Sequence, residues 1–286
     1  MRPRPEPARG ATRAITSLQN ERVKLVRSLE MRKARRETGL FTAEGVSVLA
    51  TARDAGWAPS MLLFLAGSAQ SGMARALLDW AQGAGAECLE ISPAVLAKLA
   101  AKDNPQTMLG VFEQRWAAEP DANAVAGDAL WVALEGARDP GNLGTIIRTV
   151  DAVGASGVML VGNTVDPYAR EAVRASMGSI FAVPLVRWSP ERFLAWRQAW
   201  PGEAVGTHLG AGEDFRAVSY RAPTLLVMGS EGPGLSEALA GACSRLVKIP
   251  MAGRLDSLNL AVATALMLYE IRRATLRIRG DGPNRL

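Results

Sequence analysis

Short apolar blocks recur along the first hundred residues, and their period alternates between that of a helix and that of a strand. Val23, Val26 and Leu29 share a helical face with Leu25 behind Asn20, a residue suited to capping, so a helical pattern starts at about Ser17. LFTAEG (40–45), MLLFLAG (61–67), ECLEI (87–91) and TMLGVFE (107–113) read as strands. GVSVLATARDAGW, ARALLDWAQGAG and SPAVLAKLAA, the last capped by Ser92 with Pro93 in its first turn, read as the helices between them. The second half repeats the alternation. ALWVALEG (129–136), SGVMLVG (156–162), FAVPLVRW (181–188), EAVGTHL (203–209), PTLLVMG (223–229) and RLVKIPM (245–251) are predicted strands. Helices are predicted within 139–155, 166–178, 190–200, 233–243 and 257–277. Strands alternating with helices predict an α/β fold whose mostly parallel sheet is covered by helices on both faces.

Composition divides this pattern into domains. Residues 1–13 are Pro, Arg and Ala without periodicity and read as a disordered basic tail. Residues 14–115 form a first small α/β domain, and 116–128, rich in small and turn-forming residues, a linker. Residues 129–278 form a second domain and 279–286 a C-terminal tail. No apolar run approaches the length of a membrane span, and the N-terminus lacks the apolar core of a secretory signal. Cys88 and Cys243 fit no metal or redox spacing. They read as two buried thiols rather than a disulfide, as suits a cytoplasmic protein.

Charge is concentrated at one end. Residues 1–36 carry eleven Arg and Lys against three acids, a net +8 that leaves the rest at −3 in a chain of overall charge +5. Such an end favours a polyanion, because neutralised phosphates release counterions; a solvated tail is the alternative. Arg22, Lys24, Arg32, Lys33, Arg35 and Arg36 are the candidate residues for such a contact, and so for RNA if the partner is a nucleic acid.

Three glycine-bearing turns fall at the C-terminal ends of predicted strands, where open α/β sheets bind ligands: EGARDPGNLGTIIR (135–148), GSEGPGLS (229–236) and IPMAGRLDSLN (249–259). None has the spacing of a Walker loop or a dinucleotide fingerprint, and no His, Cys, Asp or Glu cluster has metal spacing.

The three segments LEGARDPGNLGTIIRTVDAVGASGVML, LLVMGSEGPGLS and VKIPMAGRLDSLNLAVATALMLYE occur in the order of the three signature motifs of the SpoU (TrmH) family of RNA 2′-O-ribose methyltransferases, within the SPOUT superfamily. The chain resembles that family from Leu130 to about Arg273. ITSLQNERVKLVRSLEMRKARRETGLFTAEG is more loosely similar to the small RNA-binding domain, itself like a ribosomal protein, often fused in the family. The resemblance implies a C-terminal trefoil knot, which chain-packing rules alone never propose. It also implies a homodimer, S-adenosylmethionine as methyl donor, an RNA substrate, and no metal or membrane partner. The accessory domain points to large-subunit ribosomal RNA over tRNA.

By the same resemblance, Arg148 is the principal catalytic arginine. A guanidinium with a pKa above 12 is a poor base, so orienting the hydroxyl and stabilising developing oxyanion charge is the favoured role, with a transiently neutral guanidine as the alternative. Asn142 caps its helix or orients substrate. Glu231 orients Arg148 or binds a substrate hydroxyl, unless it is a plain turn residue. Gly229, Ile249 and Leu258 match positions that bind the cofactor through the main chain, and Gly232, Gly234, Met251 and Gly253 shape the same pocket. Ser257 and Asn259 lie near the methyl and the ribose; Ser257 or Asp256 is the expected cap of the last helix, and Asn259 sits inside its start, where its propensity is poor. His208 and most of the tryptophans read as structural, while Arg170 and Arg174 contact RNA or lie on a solvated face. Two rival readings remain: an RNA-binding protein with a dead cofactor pocket, and a base methyltransferase of the wider superfamily.

Overall fold

The computed structural model describes residues 12–99 and 106–277. They form two compact units. The first comprises the chain up to Trp116 together with Asp139–Arg148 and Val165–Ala182. The second comprises Ala117–Arg138, Thr149–Thr164 and the chain from Val183 onward.

Five strands make the sheet of the first unit: β1 (Thr12–Ile15), β2 (Leu40–Glu44), β3 (Met61–Leu65), β4 (Glu87–Ile91) and β5 (Met108–Glu113), in the order β1-β4-β3-β5-β2. β1, β4 and β3 are parallel, whereas β5 is antiparallel to both of its neighbours. Period-two alternation sorts β3 between the faces. Met61 and Leu63 join Ile15, Val23, Val26 and Leu89 in a core closed by α1 (Glu21–Ser28) and α5 (Pro93–Leu99). Asn20 caps α1, its side chain accepting the Arg22 N–H at 2.8 Å. A second short helix, α2 (Arg32–Thr38), ends at Gly39, whose φ of 69° is one that glycine reaches without a Cβ penalty. α3 (Val46–Asp54) packs on β2 and β5, and α4 (Gly72–Gly83) on β3 and β4. β1 was not predicted, and it takes in two residues expected in the disordered tail. Only Ile15 of its four residues is buried, so the strand has no apolar pattern to betray it.

The stretch Val165–Ala182 departs from the prediction of one long helix followed by a strand from 181. α7 (Arg170–Ala175) is short, a single 3-10 turn follows at Ser179–Phe181, and no strand begins there. The reason is tertiary. Phe181 and Tyr168 complete an aromatic cluster with Phe41, Trp57 and Phe112; ring centroids are 4.6 Å apart for Phe41 and Tyr168 and 4.9 Å for Phe112 and Phe181. Trp57 Nε1 donates to the Phe181 carbonyl at 2.8 Å.

The second unit holds a seven-stranded sheet of β6 (Leu130–Glu135), β7 (Gly157–Val161), β8 (Leu185–Trp188), β9 (Glu203–Thr207), β10 (Glu213–Asp214), β11 (Thr224–Met228) and β12 (Arg245–Lys248). The order is β10-β12-β9-β11-β6-β7-β8, with every neighbouring pair parallel. β7 and β11 are buried along their whole length, which is why they read as unbroken apolar runs. Trp131, Trp188, Trp196 and Trp200 are core residues, packed with Val186, Leu225 and Val227. Two of them come from or follow α8 (Pro190–Gln198). Between β6 and β11 the direction of winding reverses: the chain continues from β6 to β7 and β8 on one side, and from β11 to β12 on the other. α6 (Pro140–Ala152) follows the β6 turn, and α10 (Leu260–Arg272) packs on β11.

Candidate active site

In a parallel sheet all strands end at one edge, and ligands bind where the winding reverses. Here the two loops at that point, after β6 and after β11, are joined within the second unit. Glu135 at the end of β6 accepts the Ser236 N–H at 2.8 Å, and a Cβ on Gly136 would lie 3.4 Å from the Ser230 Cβ. The β11 loop also closes on itself. Ser230 and Gly234 exchange backbone hydrogen bonds of 3.0 and 3.1 Å. A Cβ on Gly229 would sit 2.0 Å from the Gly234 carbonyl carbon, so only glycine fits there. Gly232 and Gly234 take positive φ within the loop, and Glu231 is exposed at its tip. α9 (Glu237–Gly241) follows, capped by Ser236.

The third motif follows β12. Ile249 and Met251 are partly buried, Gly253 and Ser257 are exposed, and Leu258 is 38% exposed. The structure corrects the start of the last helix. Neither Ser257 nor Asp256 is the N-cap. Asn259 is, its side chain accepting the N–H groups of Ala261 at 2.9 Å and Val262 at 3.3 Å. Asn is a preferred cap, so its presence is accounted for by folding, and poor propensity within a helix is no longer an argument for function.

Asn142 and Arg148 lie on α6 in the first unit. Asp139, unremarked in the sequence reading, accepts the Asn142 N–H at 2.6 Å and so fills the capping place that Asn142 was one candidate for. Arg148 is exposed and forms no ion pair among the described residues. The chain thus places Asn142 and Arg148 in one unit, and Gly229, Glu231, Gly232, Gly234, Ile249, Met251, Gly253, Ser257, Leu258 and Asn259 in the other. Glu135 and Thr207, the last residue of β9, are further residues at the strand ends of that second unit. Their signal was available only in the strand order. His208 is exposed just beyond β9, and its Nδ1 accepts the Gly210 N–H at 3.1 Å.

Of the candidate RNA contacts, Arg22, Lys24, Arg32, Lys33 and Arg36 are exposed on or beside α1 and α2. Arg22 pairs with Glu87 at 2.8 Å, Lys24 with Glu21 at 3.0 Å and Lys33 with Glu37 at 3.9 Å. Such solvent-facing pairs are weak and yield readily to phosphate. Arg35 does not belong with them. It is 4% exposed, with its Nε on Asp166 at 2.8 Å and its Nη1 on the carbonyls of Leu29 and Glu30 at 2.8 and 2.9 Å. Its guanidinium is committed to the interior and cannot reach RNA. Arg170 is likewise taken up, by Glu30, Glu44 and the Leu99 carbonyl, whereas Arg174 is exposed. The N-terminal arginines Arg2, Arg4 and Arg9 lie outside the described residues.

Both cysteines are free, and burial pushes each thiol up to about 11, so neither is a nucleophile at neutral pH. Among the described residues no three His, Cys, Asp or Glu side chains are grouped to hold a metal ion, and no helix is long and apolar enough to cross a membrane.

The second unit is thus a parallel α/β sheet with a self-closed glycine loop at the point where its winding reverses. Comparison with known proteins narrows this. The model of the SpoU rRNA methylase family matches residues 129–269, and that of an MRM3-like substrate binding domain matches 20–110. A 23S rRNA (uridine(2479)-2′-O)-methyltransferase of Streptomyces viridochromogenes is 35% identical over 92% of this chain and 93% of its own length. A 23S rRNA (guanosine(2553)-2′-O)-methyltransferase of Bacillus subtilis is 27% identical over 90% and 98%. The crystal structure of an AdoMet-bound rRNA methyltransferase from Sinorhizobium meliloti superimposes with a TM-score of 0.86 at 42% identity, covering 93% of this chain and 99% of that one. The chain belongs to the SpoU rRNA methylase family.

Proposed function

We propose that the protein transfers a methyl group from S-adenosylmethionine to a ribose 2′-hydroxyl of 23S ribosomal RNA. The observation that carries this reading is the closed Gly229–Leu235 loop at the sheet's switch point, in a chain whose relatives along nearly its whole length methylate 23S rRNA at that oxygen. The site suits the cofactor. Positions Gly232, Gly234 and Gly253 have no atom within 4 Å of where a Cβ would stand, which leaves main chain open to close approach. Ile249, Met251 and Leu258 add partly exposed apolar side chains on the same stretch. Gly229, Ile249 and Leu258 hold the cofactor through main-chain groups, with Met251, Gly232, Gly234 and Gly253 shaping its surroundings. The bound sulfonium supplies an already activated methyl, so no metal is called for.

The protein's own part is to orient a weak nucleophile and manage its proton. Arg148 orients the hydroxyl and stabilises charge growing on its oxygen, helped by Asn142. Glu231, Ser257 and Asn259 complete the catalytic set. Residues 14–115 recognise the RNA, with Arg22, Lys24, Arg32, Lys33 and Arg36 on phosphates, and residues 129–278 form the catalytic domain with the C-terminal trefoil knot of the family. The enzyme works in the cytoplasm.

It does so as a homodimer. On α10, Val262, Leu266 and Tyr269 are 49%, 41% and 54% exposed, and their spacing puts them on one helical face. Exposed apolar stripes mark interaction sites, and this one is the face that we assign to the second copy. Leu266→Glu is expected to convert the dimer to monomer in sedimentation. An unchanged sedimentation coefficient would place the interface elsewhere.

The test of function is incubation of the full chain with S-adenosylmethionine and deproteinised RNA from cells lacking this gene, followed by nucleolytic digestion and mass spectrometry. An alkali-resistant dinucleotide from 23S rRNA is the expected product. A methylated base, or label in tRNA alone, would overturn the ribose or the 23S assignment respectively. Reversing Lys24, Arg32, Lys33 and Arg36 to glutamate should weaken RNA binding and flatten its dependence on salt, because fewer counterions are released. Equal slopes would mean that these residues serve solubility only.

A further inference from the structure

Met177 stands where neither backbone nor packing asks for methionine. It follows the C-cap of α7 and holds a φ of 51°. Among the described residues it is the one non-glycine with φ in the left-handed region. Glycine is the usual occupant of this place after a helix, because any Cβ there is strained. Nor does the side chain repay that strain by burial, since Met177 is 54% exposed. The turn itself is firmly held. The Met177 N–H donates to the Arg174 carbonyl at 3.1 Å, the Ser179 N–H to the Ser176 carbonyl at 3.0 Å, and Gly178 lies so close to Thr51 that a Cβ would come within 2.9 Å of its side chain. A large apolar side chain is thus presented outward from a rigid turn at a conformational cost. Backbone strain of this kind clusters at active sites and ligand clamps, where the surrounding structure holds it in place.

The neighbouring helix says what that function concerns. A Cβ on Gly141 would meet the Glu171 carboxylate at 3.6 Å, and one on Gly144 would meet the Ala172 carbonyl oxygen at 2.3 Å, the Ala175 Cβ at 2.6 Å and the Ser176 nitrogen at 3.0 Å. α6 and α7 therefore meet at Gly144, where only glycine leaves room for the α7 backbone. The next position on that face of α6, four residues beyond Gly144, is Arg148. Ser176, whose nitrogen lies at this contact, directly precedes Met177, and Gly144 stands one helical turn before Arg148. Arg174, also exposed, is three residues before Met177.

We propose that Met177 is a substrate-contacting residue whose exposed thioether packs against the face of the target nucleobase and so holds that nucleotide on the enzyme. The inference rests on the methyltransferase reading above. Packing of sulfur on a base contributes alike to the ground and transition states, so its loss acts on substrate binding rather than on the chemical step.

The test compares the unaltered full chain with Met177→Gly and Met177→Leu, using S-adenosylmethionine and deproteinised 23S rRNA from cells lacking this gene. Met177→Gly relieves the left-handed strain, so its thermal midpoint should equal or exceed that of the parent and its cofactor affinity should be unchanged. Its KM for RNA should rise about fivefold to tenfold with kcat within about twofold. Met177→Leu, which keeps an apolar side chain of similar size, should recover most of the loss. A parental KM in Met177→Gly would overturn the proposal, as would a KM defect in Met177→Leu equal to that of Met177→Gly. If the unaltered protein methylates no RNA at all, the methyltransferase reading falls and this inference with it.

Discussion

Replacing Arg148 by alanine is expected to slow methyl transfer by about a hundredfold to a thousandfold while S-adenosylmethionine affinity stays within a few-fold. The rate estimate follows from the loss of one preorganised donor to a developing oxyanion, about 3–4 kcal/mol of transition-state stabilisation. Little of the loss should come through folding. Arg148 is exposed, makes no ion pair among the described residues, and sits in a helix where alanine is the most favourable residue. Single-turnover transfer of radiolabelled methyl gives the rate, and calorimetry the cofactor affinity. Near-parental turnover would remove Arg148 from the mechanism. A drop in cofactor affinity as large as the drop in rate would recast it as a binding residue.

The second large effect concerns stability. Asp166→Ala is expected to destabilise the protein by about 3–5 kcal/mol, because it leaves a buried cation without its partner. The Arg35 and Asp166 side chains are only 5% and 8% exposed, and Asp166 also accepts the Tyr168 N–H at 3.0 Å. The double variant Arg35→Met, Asp166→Ala should regain much of the loss, since removing both charges also removes the desolvation cost. Chemical denaturation of the three proteins provides the cycle. A loss below about 1 kcal/mol for Asp166→Ala would show that water reaches the pair and that it contributes little.

These two residues show how far the sequence could be read. Arg35 was counted with the RNA contacts because a run of basic residues carries no local sign of which member turns inward. Its partner lies 131 residues away, and only the packing of Val165–Ala182 reveals the pairing. Tyr168 and Phe181 were similarly assigned to a helix and a strand, but each belongs to an aromatic cluster whose other members, Phe41, Trp57 and Phe112, come from the N-terminal part of the chain. Asn259 was placed inside a helix because its apolar neighbours already follow a helical period. The cap was legible in principle, since Asn, Asp and Ser rank alike at that position, but three candidates within four residues left the choice to geometry.

Most of the regular elements were determined locally. Buried parallel strands must be apolar along their length and helices apolar on one side, and glycines must stand where the chain turns, so the alternation of elements and the three glycine turns were visible without coordinates. Strand order was not. That β11 lies beside β6, and that the winding reverses between them, depends on contacts between segments some ninety residues apart, and hydrophobic periodicity carries no information about partners. Tertiary structure alone decided which glycine had no room for a Cβ, which arginine lost its water, and which methionine was held outward in a left-handed turn. Each of those outcomes is set by what the rest of the chain brings into contact with the residue.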